Sequence, residues 1–134
     1  MKKTKKVGVG IIIIDQNGDF LLHLRDGNTP LMTNQWSLVG GGIEKNELPE
    51  NAAKREVFEE TSLIASDIVK VGSLSFNEEW EALIFQAKVN TSESNMKLGE
   101  GKQLKLFSQK DTRKLLENLD YSNPFLDFLK QYIS

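Results

Sequence analysis

Gly40-Gly41-Gly42-Ile43-Glu44-Lys45-Asn46-Glu47-Leu48-Pro49-Glu50-Asn51-Ala52-Ala53-Lys54-Arg55-Glu56-Val57-Phe58-Glu59-Glu60-Thr61-Ser62-Leu63 is the stretch on which the reading of this chain turns. Pro49 suits a first helical turn, where its missing N–H is not needed. Ala52, Ala53 and Val57 then return at helical spacing as an inward stripe, so a helix is expected from Pro49 to about Thr61. Leu48 is a poor N-cap, and Glu47 is expected to help satisfy the free amides in its place. Each helical residue advances about 100°, which puts Glu59 near −60° and Glu60 near +40° of Glu56. Three carboxylates therefore share one side of the helix within little more than a turn.

A solvated acidic face is the ordinary reading of such a cluster, and two local rules oppose it. Glu59 and Glu60 sit in the last turn, where the free carbonyls disfavour anions by about 0.3–1 kcal/mol each. Glu56 and Glu60 form a like-charge i,i+4 pair, which weakens the helix further. A hard divalent cation would reverse both penalties, and carboxylate oxygens suit Mg²⁺ or Mn²⁺. Local conflict of this kind is characteristic of functional sites.

The wider spacing is more specific. Gly41, five residues, Glu47, seven residues, Arg55-Glu56-Val57, then Glu59-Glu60 and Leu63 resembles the Nudix box, G-x5-E-x7-R-E-U-x-E-E-x-G-U with U aliphatic. Six of the seven fixed letters match, and Val57 and Leu63 fill the aliphatic positions. The resemblance implies a Nudix-type α/β/α sandwich with a mixed central β-sheet, in which a loop–helix–loop presents the carboxylates and a metal-activated water cleaves a nucleoside diphosphate linked to another group. By position it implies Glu56, Glu59 and Glu60 as metal ligands, Glu56 also as a candidate base, Arg55 paired with Glu47 to orient the segment, and the Gly40 carbonyl as a further metal ligand. Glu100, before the strand expected at Gln103–Phe107, stands where some members place an extra carboxylate that binds metal or takes the proton. Three departures touch no ligand: Ser62 replaces the last glycine at a cost of order 1 kcal/mol, Asn46 stands for a common glycine and tolerates the left-handed region, and Val39 stands for a common proline.

Outward from this segment, Ile11-Ile12-Ile13-Ile14 is β-branched and continuously apolar, as expected of a strand covered on both faces. It ends at Asn17-Gly18 and resumes as Phe20–Arg25, a hairpin. Asp26–Asn34 reads as a loop, and Trp36–Val39 as a short strand stopped by Gly40-Gly41-Gly42. Ile68–Phe76 and Trp80–Val89 read as strands, the second with Leu83, Phe85, Ala87 and Val89 on one face. Asn90–Gly101 is loop-like. Ser108 is expected to cap a helix carrying Leu115, Leu116 and Leu119, and Pro124 to open another with Phe125, Phe128, Leu129 and Tyr132 inward. Strands and helices mixed around one sheet give an α/β or α+β class, and 134 residues give one domain, 1–134.

Composition narrows the chemistry. With no cysteine and one histidine, thiolate nucleophiles, cysteine zinc sites and three-histidine zinc are excluded. Seventeen Lys+Arg against nineteen Asp+Glu argue against coating a nucleic acid polymer, while a nucleotide remains a suitable small ligand. Neither a third glycine after Gly8-Val9-Gly10 nor a GxxxxGK[ST] is present. Met1–Lys6 followed by Val7–Ile14 imitates a secretory signal but lacks a cleavage site and runs into turn chemistry, and the apolar run is shorter than the ~20 residues of a membrane helix. The expected address is cytoplasmic, with no membrane partner and homodimerisation left open.

Candidate substrate contacts are Arg25, facing the phosphates, and Trp80 and Phe76, stacking on a base; His23, between Leu22 and Leu24, reads as structural. The function implied is Mg²⁺-dependent hydrolysis of a pyrophosphate bond, with a nucleoside triphosphate giving monophosphate and pyrophosphate as the first choice. ADP-ribose or nucleotide-sugar hydrolysis, and a non-catalytic nucleotide-binding sensor of the same fold, are the alternatives.

Overall fold

The computed structural model describes residues 6–24, 35–75, 78–92 and 103–134. Strand β1 (Lys6–Ile14) runs through the middle of a mixed sheet, parallel to β6 (Trp80–Lys88) on one side and antiparallel to β2 (Phe20–Leu24) and β4 (Val39–Gly42) on the other. β3 (Trp36–Ser37) and β7 (Gln103–Phe107) pair with β2, and β5 (Ser66–Ser75) pairs antiparallel with β6. Helix α1 (Pro49–Thr61) covers one face; α2 (Gln109–Glu117) and α3 (Pro124–Ile133) cover the other. The expected α/β/α sandwich is what the chain forms.

The isoleucine run explains the two-sided burial. Ile11 and Ile13 join Val39, Ala52, Ala53, Val57, Phe85 and Ala87 in the α1-side core, whereas Ile12 joins Leu22, Ile84, Leu116, Leu126 and Leu129 on the opposite side. Period-two alternation of a strand sends neighbours to opposite cores, so both must be apolar. The Asn17-Gly18 hairpin closes with Gly18 at φ +80° and with Asp15 Oδ1 accepting from the amides of Asn17 and Asp19.

Three sequence readings are corrected. Gly40–Gly42 do not stop a strand; they are strand β4, and the chain changes partner from β2 to β1 at Leu38. The glycines permit a backbone approach that side chains would block, since a Cβ on Gly40 would lie 2.2 Å from the Val9 carbonyl oxygen. Glu47 does not cap α1, whose N-cap Leu48 makes no side-chain hydrogen bond; its carboxylate turns to Arg55 and to the Glu44 amide. In α3 the deepest side chains are Leu126 and Leu129, with Phe125 and Phe128 half-buried over Gly10 and Gly72 and Tyr132 exposed.

The other helix cap follows expectation, with Ser108 Oγ accepting from the Asp111 amide. The expected loop 26–34, Arg25, Phe76, Glu100 and the basic leader 1–5 lie outside the described residues.

Candidate active site

The segment that carries the site is held by α1 against β4. Ala52, Ala53 and Val57 seat the helix on the sheet, and the same face brings Glu56 and Glu60, 8% and 6% exposed, to the edge of the core. Glu59, 60° round the helix, has a half-exposed side chain. The loop before the helix turns at Asn46, φ 66°, and the helix ends at Ser62, φ 64°, with its amide donating to the Phe58 carbonyl. Both residues hold left-handed backbone at the two positions where the sequence motif departs from glycine.

Arg55 organises the carboxylates. Its Nε and Nη2 donate to the two oxygens of Glu47 at 2.8 and 3.0 Å, a bidentate fork. Nη1 donates to Glu56 Oε1 at 2.8 Å and to Glu59 Oε2 at 3.2 Å, and Nη2 also reaches the Gly42 carbonyl at 2.9 Å. One guanidinium thus ties the loop, the end of β4 and two helix carboxylates, a task that its planar set of donors performs and an ammonium would not. Its acidity is correspondingly suppressed, with the Glu47 hydrogen bond as the main cause, and the same bond holds the Glu47 carboxyl below its usual range.

Glu56 is the electrostatic anomaly. Burial raises its pKa, Arg55 opposes this, and the charges of Glu59 and Glu60 add to the rise, which leaves it at about 7. Its carboxylate lies directly against Gly41: a Cβ there would sit 2.4 to 2.7 Å from the carboxylate atoms. Glu60 faces β2, where the buried His23 places Nε2 3.7 Å from Glu60 Oε2. Sequence reasoning missed this pairing. The sequence reading made His23 structural, and nothing in the sequence showed that Glu60 would meet it.

Among the described residues, no group of three or more His, Cys, Asp or Glu side chains stands together at metal-holding spacing; Glu56 and Glu59 share Arg55 and Glu60 faces His23. The donor set nevertheless fits a hard cation. It consists of carboxylate oxygens, Glu56 and Glu60 are taken out of water, and the ionised form of Glu56 is penalised by burial and by two like charges that a divalent ion would offset. Gly40 lies in β4 opposite Gly10. Trp80 begins β6 beside Lys6 of β1, whose Nζ lies 5.5 Å above its ring. A groove lined by Asn51, Lys54, Arg55, Phe58 and Ile64 opens on the exposed side of α1, and the three carboxylates do not line it. No helix among the described residues is long and apolar enough to cross a membrane.

A mixed sheet lies between one helix and two, with Arg55 of the single helix holding Glu47, Glu56 and Glu59, an arrangement of the Nudix type. The NUDIX domain model matches residues 4–128, and the chain belongs to that family. It is similar to an RNA pyrophosphohydrolase of Saccharophagus degradans, 41% identical over 64 residues covering 48% of this chain and 35% of that relative. It is also similar to the nucleoside triphosphatase NudI of Salmonella schwarzengrund, 43% identical over 58 residues covering 42% of this chain and 41% of that relative. The matches thus span well under half the length of these curated relatives. A solved NUDIX hydrolase from Nitrosomonas europaea superposes with a TM-score of 0.80 at 25% identity, covering 99% of this chain and 72% of that one.

Proposed function

We propose that this chain is a divalent-metal-dependent nucleotide pyrophosphohydrolase that uses Mg²⁺ or Mn²⁺ and acts first on nucleoside triphosphates, adding water to give a nucleoside monophosphate and pyrophosphate. The observation that carries the reading is the Arg55 network, which clamps Glu47, Glu56 and Glu59 to β4 while Glu56 stays buried with a pKa near neutrality. A silent binding module would gain nothing from burying a carboxylate beside two like charges. Glu56, Glu59 and Glu60 would hold the ion, joined by the Gly40 carbonyl and by Glu100, which lies outside the described residues. The ion, when bound, neutralises phosphate oxygens and makes water a competent nucleophile at neutral pH.

The chain's own residues supply position and proton transfer. Glu56 Oε1 is engaged by Arg55, and Oε2 would accept the proton from the attacking water. Arg55 holds the acceptor in place, and Glu47 fixes Arg55. Trp80 is the candidate base platform, with Arg25 and Phe76 as candidates outside the described residues. The near balance of basic and acidic side chains favours a small substrate over a polymer. The likeness to an RNA pyrophosphohydrolase makes a 5′-triphosphorylated RNA the second substrate to try. Residues 1–134 are read as one domain, with the cytoplasm as the address.

The test is a panel of NTPs, dNTPs, ADP-ribose, a nucleotide sugar and 5′-triphosphorylated RNA, with Mg²⁺, Mn²⁺ or EDTA. The proposal expects metal-dependent release of monophosphate and pyrophosphate from a triphosphate. Tight nucleotide binding with no turnover under any metal would establish the sensor reading instead.

A further inference from the structure

We propose that His23 is a positioning residue for Glu60: from β2 it holds the Glu60 carboxylate at the end of α1 in the orientation that metal binding needs. This rests on the reading of Glu60 as a metal-holding side chain. Strand β2 reads Phe20-Leu21-Leu22-His23-Leu24, and His23 is its one polar side chain. Leu21 enters the α1-side core and Leu22 the opposite one, so alternation returns His23 to the face that α1 covers. Cross-strand from it stands Ser37 of β3, which is also buried, so an island of polar side chains interrupts an otherwise apolar layer.

The imidazole is 5% exposed and its Nε2 lies 3.7 Å from Glu60 Oε2, a few tenths of an ångström beyond a direct hydrogen bond. A buried imidazole costs desolvation that an aliphatic side chain of similar size would not. The geometry gives that cost a return. Glu60 sits in the last turn of α1, where the helix carbonyls disfavour an anion, while Arg55 donates to Glu56 and Glu59. His23 brings a ring nitrogen to it from the sheet. Outer partners of this kind fix the direction of metal-binding carboxylates, and their loss typically weakens metal affinity about 10–100-fold.

The experiment measures Mn²⁺ binding to the metal-free full chain by electron paramagnetic resonance of the free ion, beside kcat and KM, for wild type, His23→Leu, His23→Gln, Glu60→Gln and the His23→Leu/Glu60→Gln double variant. Leucine refills the space without a nitrogen, and glutamine can return an N–H to the Nε2 position. The inference expects His23→Leu to melt at or above the wild-type temperature yet bind Mn²⁺ about tenfold more weakly, with kcat reduced and KM within twofold. His23→Gln should recover to within about threefold of wild type, and the double variant should bind no worse than Glu60→Gln alone. Wild-type Mn²⁺ affinity in His23→Leu, no rescue by glutamine, or multiplying losses in the double variant would each overturn it. If Glu60→Gln weakens Mn²⁺ binding and His23→Leu does not, the role of His23 alone fails; if Glu60→Gln binds as wild type, the reading of the site fails and this inference with it. Should His23→Leu not fold, His23→Ala takes its place under the same criteria.

Discussion

Replacing Gly41 by alanine isolates the contact between β4 and the Glu56 carboxylate. The added Cβ would stand 2.4 Å from Oε1, 2.5 Å from Cδ and 2.7 Å from Oε2, against the roughly 3.5 Å that carbon and oxygen atoms tolerate, so the carboxylate must retreat by about 1 Å. The backbone on either side is fixed by four pairings of β4 with β1 and by the buried alanines under α1. The movement therefore falls on the Glu56 side chain and on the hydrogen bond that Oε1 accepts from Arg55. A shift of that size at a proton acceptor costs on the order of 10²-fold in rate, while a single added methyl against a side-chain tip costs at most about 1–3 kcal/mol of stability. Gly42→Ala is the control, because a Cβ at Gly42 meets nothing within 4 Å. The assay is steady-state pyrophosphate release with saturating Mg²⁺, alongside a melting curve. Gly41→Ala should lose about a hundredfold in kcat and remain folded, and Gly42→Ala should stay within about threefold of wild type. Wild-type turnover in Gly41→Ala, or equal damage in both, would refute the account of how Glu56 is placed.

Other outcomes follow from the same geometry. Glu56 binds its proton more tightly in the folded chain, with a pKa of about 7 against 4.5 for the ordinary group, so between those values the native state carries more protons than the unfolded one. Stability of the metal-free protein should therefore fall as pH rises from about 4.5 through 7, by at most about 3 kcal/mol. Denaturant titrations at pH 5, 6 and 8 in EDTA would check this, and Glu56→Gln should remove the slope. Glu47 runs the opposite way, its contribution being lost only as pH falls below its ordinary range. Arg55→Lys keeps one charge but loses the fork to Glu47 and the simultaneous reach to Glu56, Glu59 and Gly42; turnover should drop at least tenfold with KM little changed. Ser62→Gly relieves a side chain at φ 64° and should raise the melting temperature, by up to about 1 kcal/mol of stability.

The sequence made some of this legible for identifiable reasons. Pro49, the alanine pair and Val57 define α1 because helix starts and apolar periodicity act locally, and the isoleucine run defines a doubly buried strand because its neighbours must alternate between two cores. Asn46 and Ser62 could be assigned left-handed backbone from the box positions they occupy. What the sequence did not carry is long-range. Three glycines mark a turn by local rules, but here they are a strand because β1 presents Gly8 and Gly10 opposite them, a fact of pairing and not of neighbourhood. Local rules made Glu47 a helix cap, and only the family resemblance paired it with Arg55, one and a half turns into α1, which gives it two charged hydrogen bonds. The three carboxylates do lie on one arc, yet the sheet divides them: Glu56 and Glu60 are buried and Glu59 faces solvent. Only the tertiary placement of β2 brings His23 to Glu60.

The central claim is that Glu56, Glu59 and Glu60 act together on a phosphoanhydride through a bound cation, and the most direct measurement is Mg²⁺-dependent turnover of the preferred nucleotide by Glu59→Gln and Glu60→Gln. Both variants should fold and each should lose at least about a hundredfold in kcat. Rates equal to wild type in both, or hydrolysis that persists undiminished in EDTA, would contradict the account.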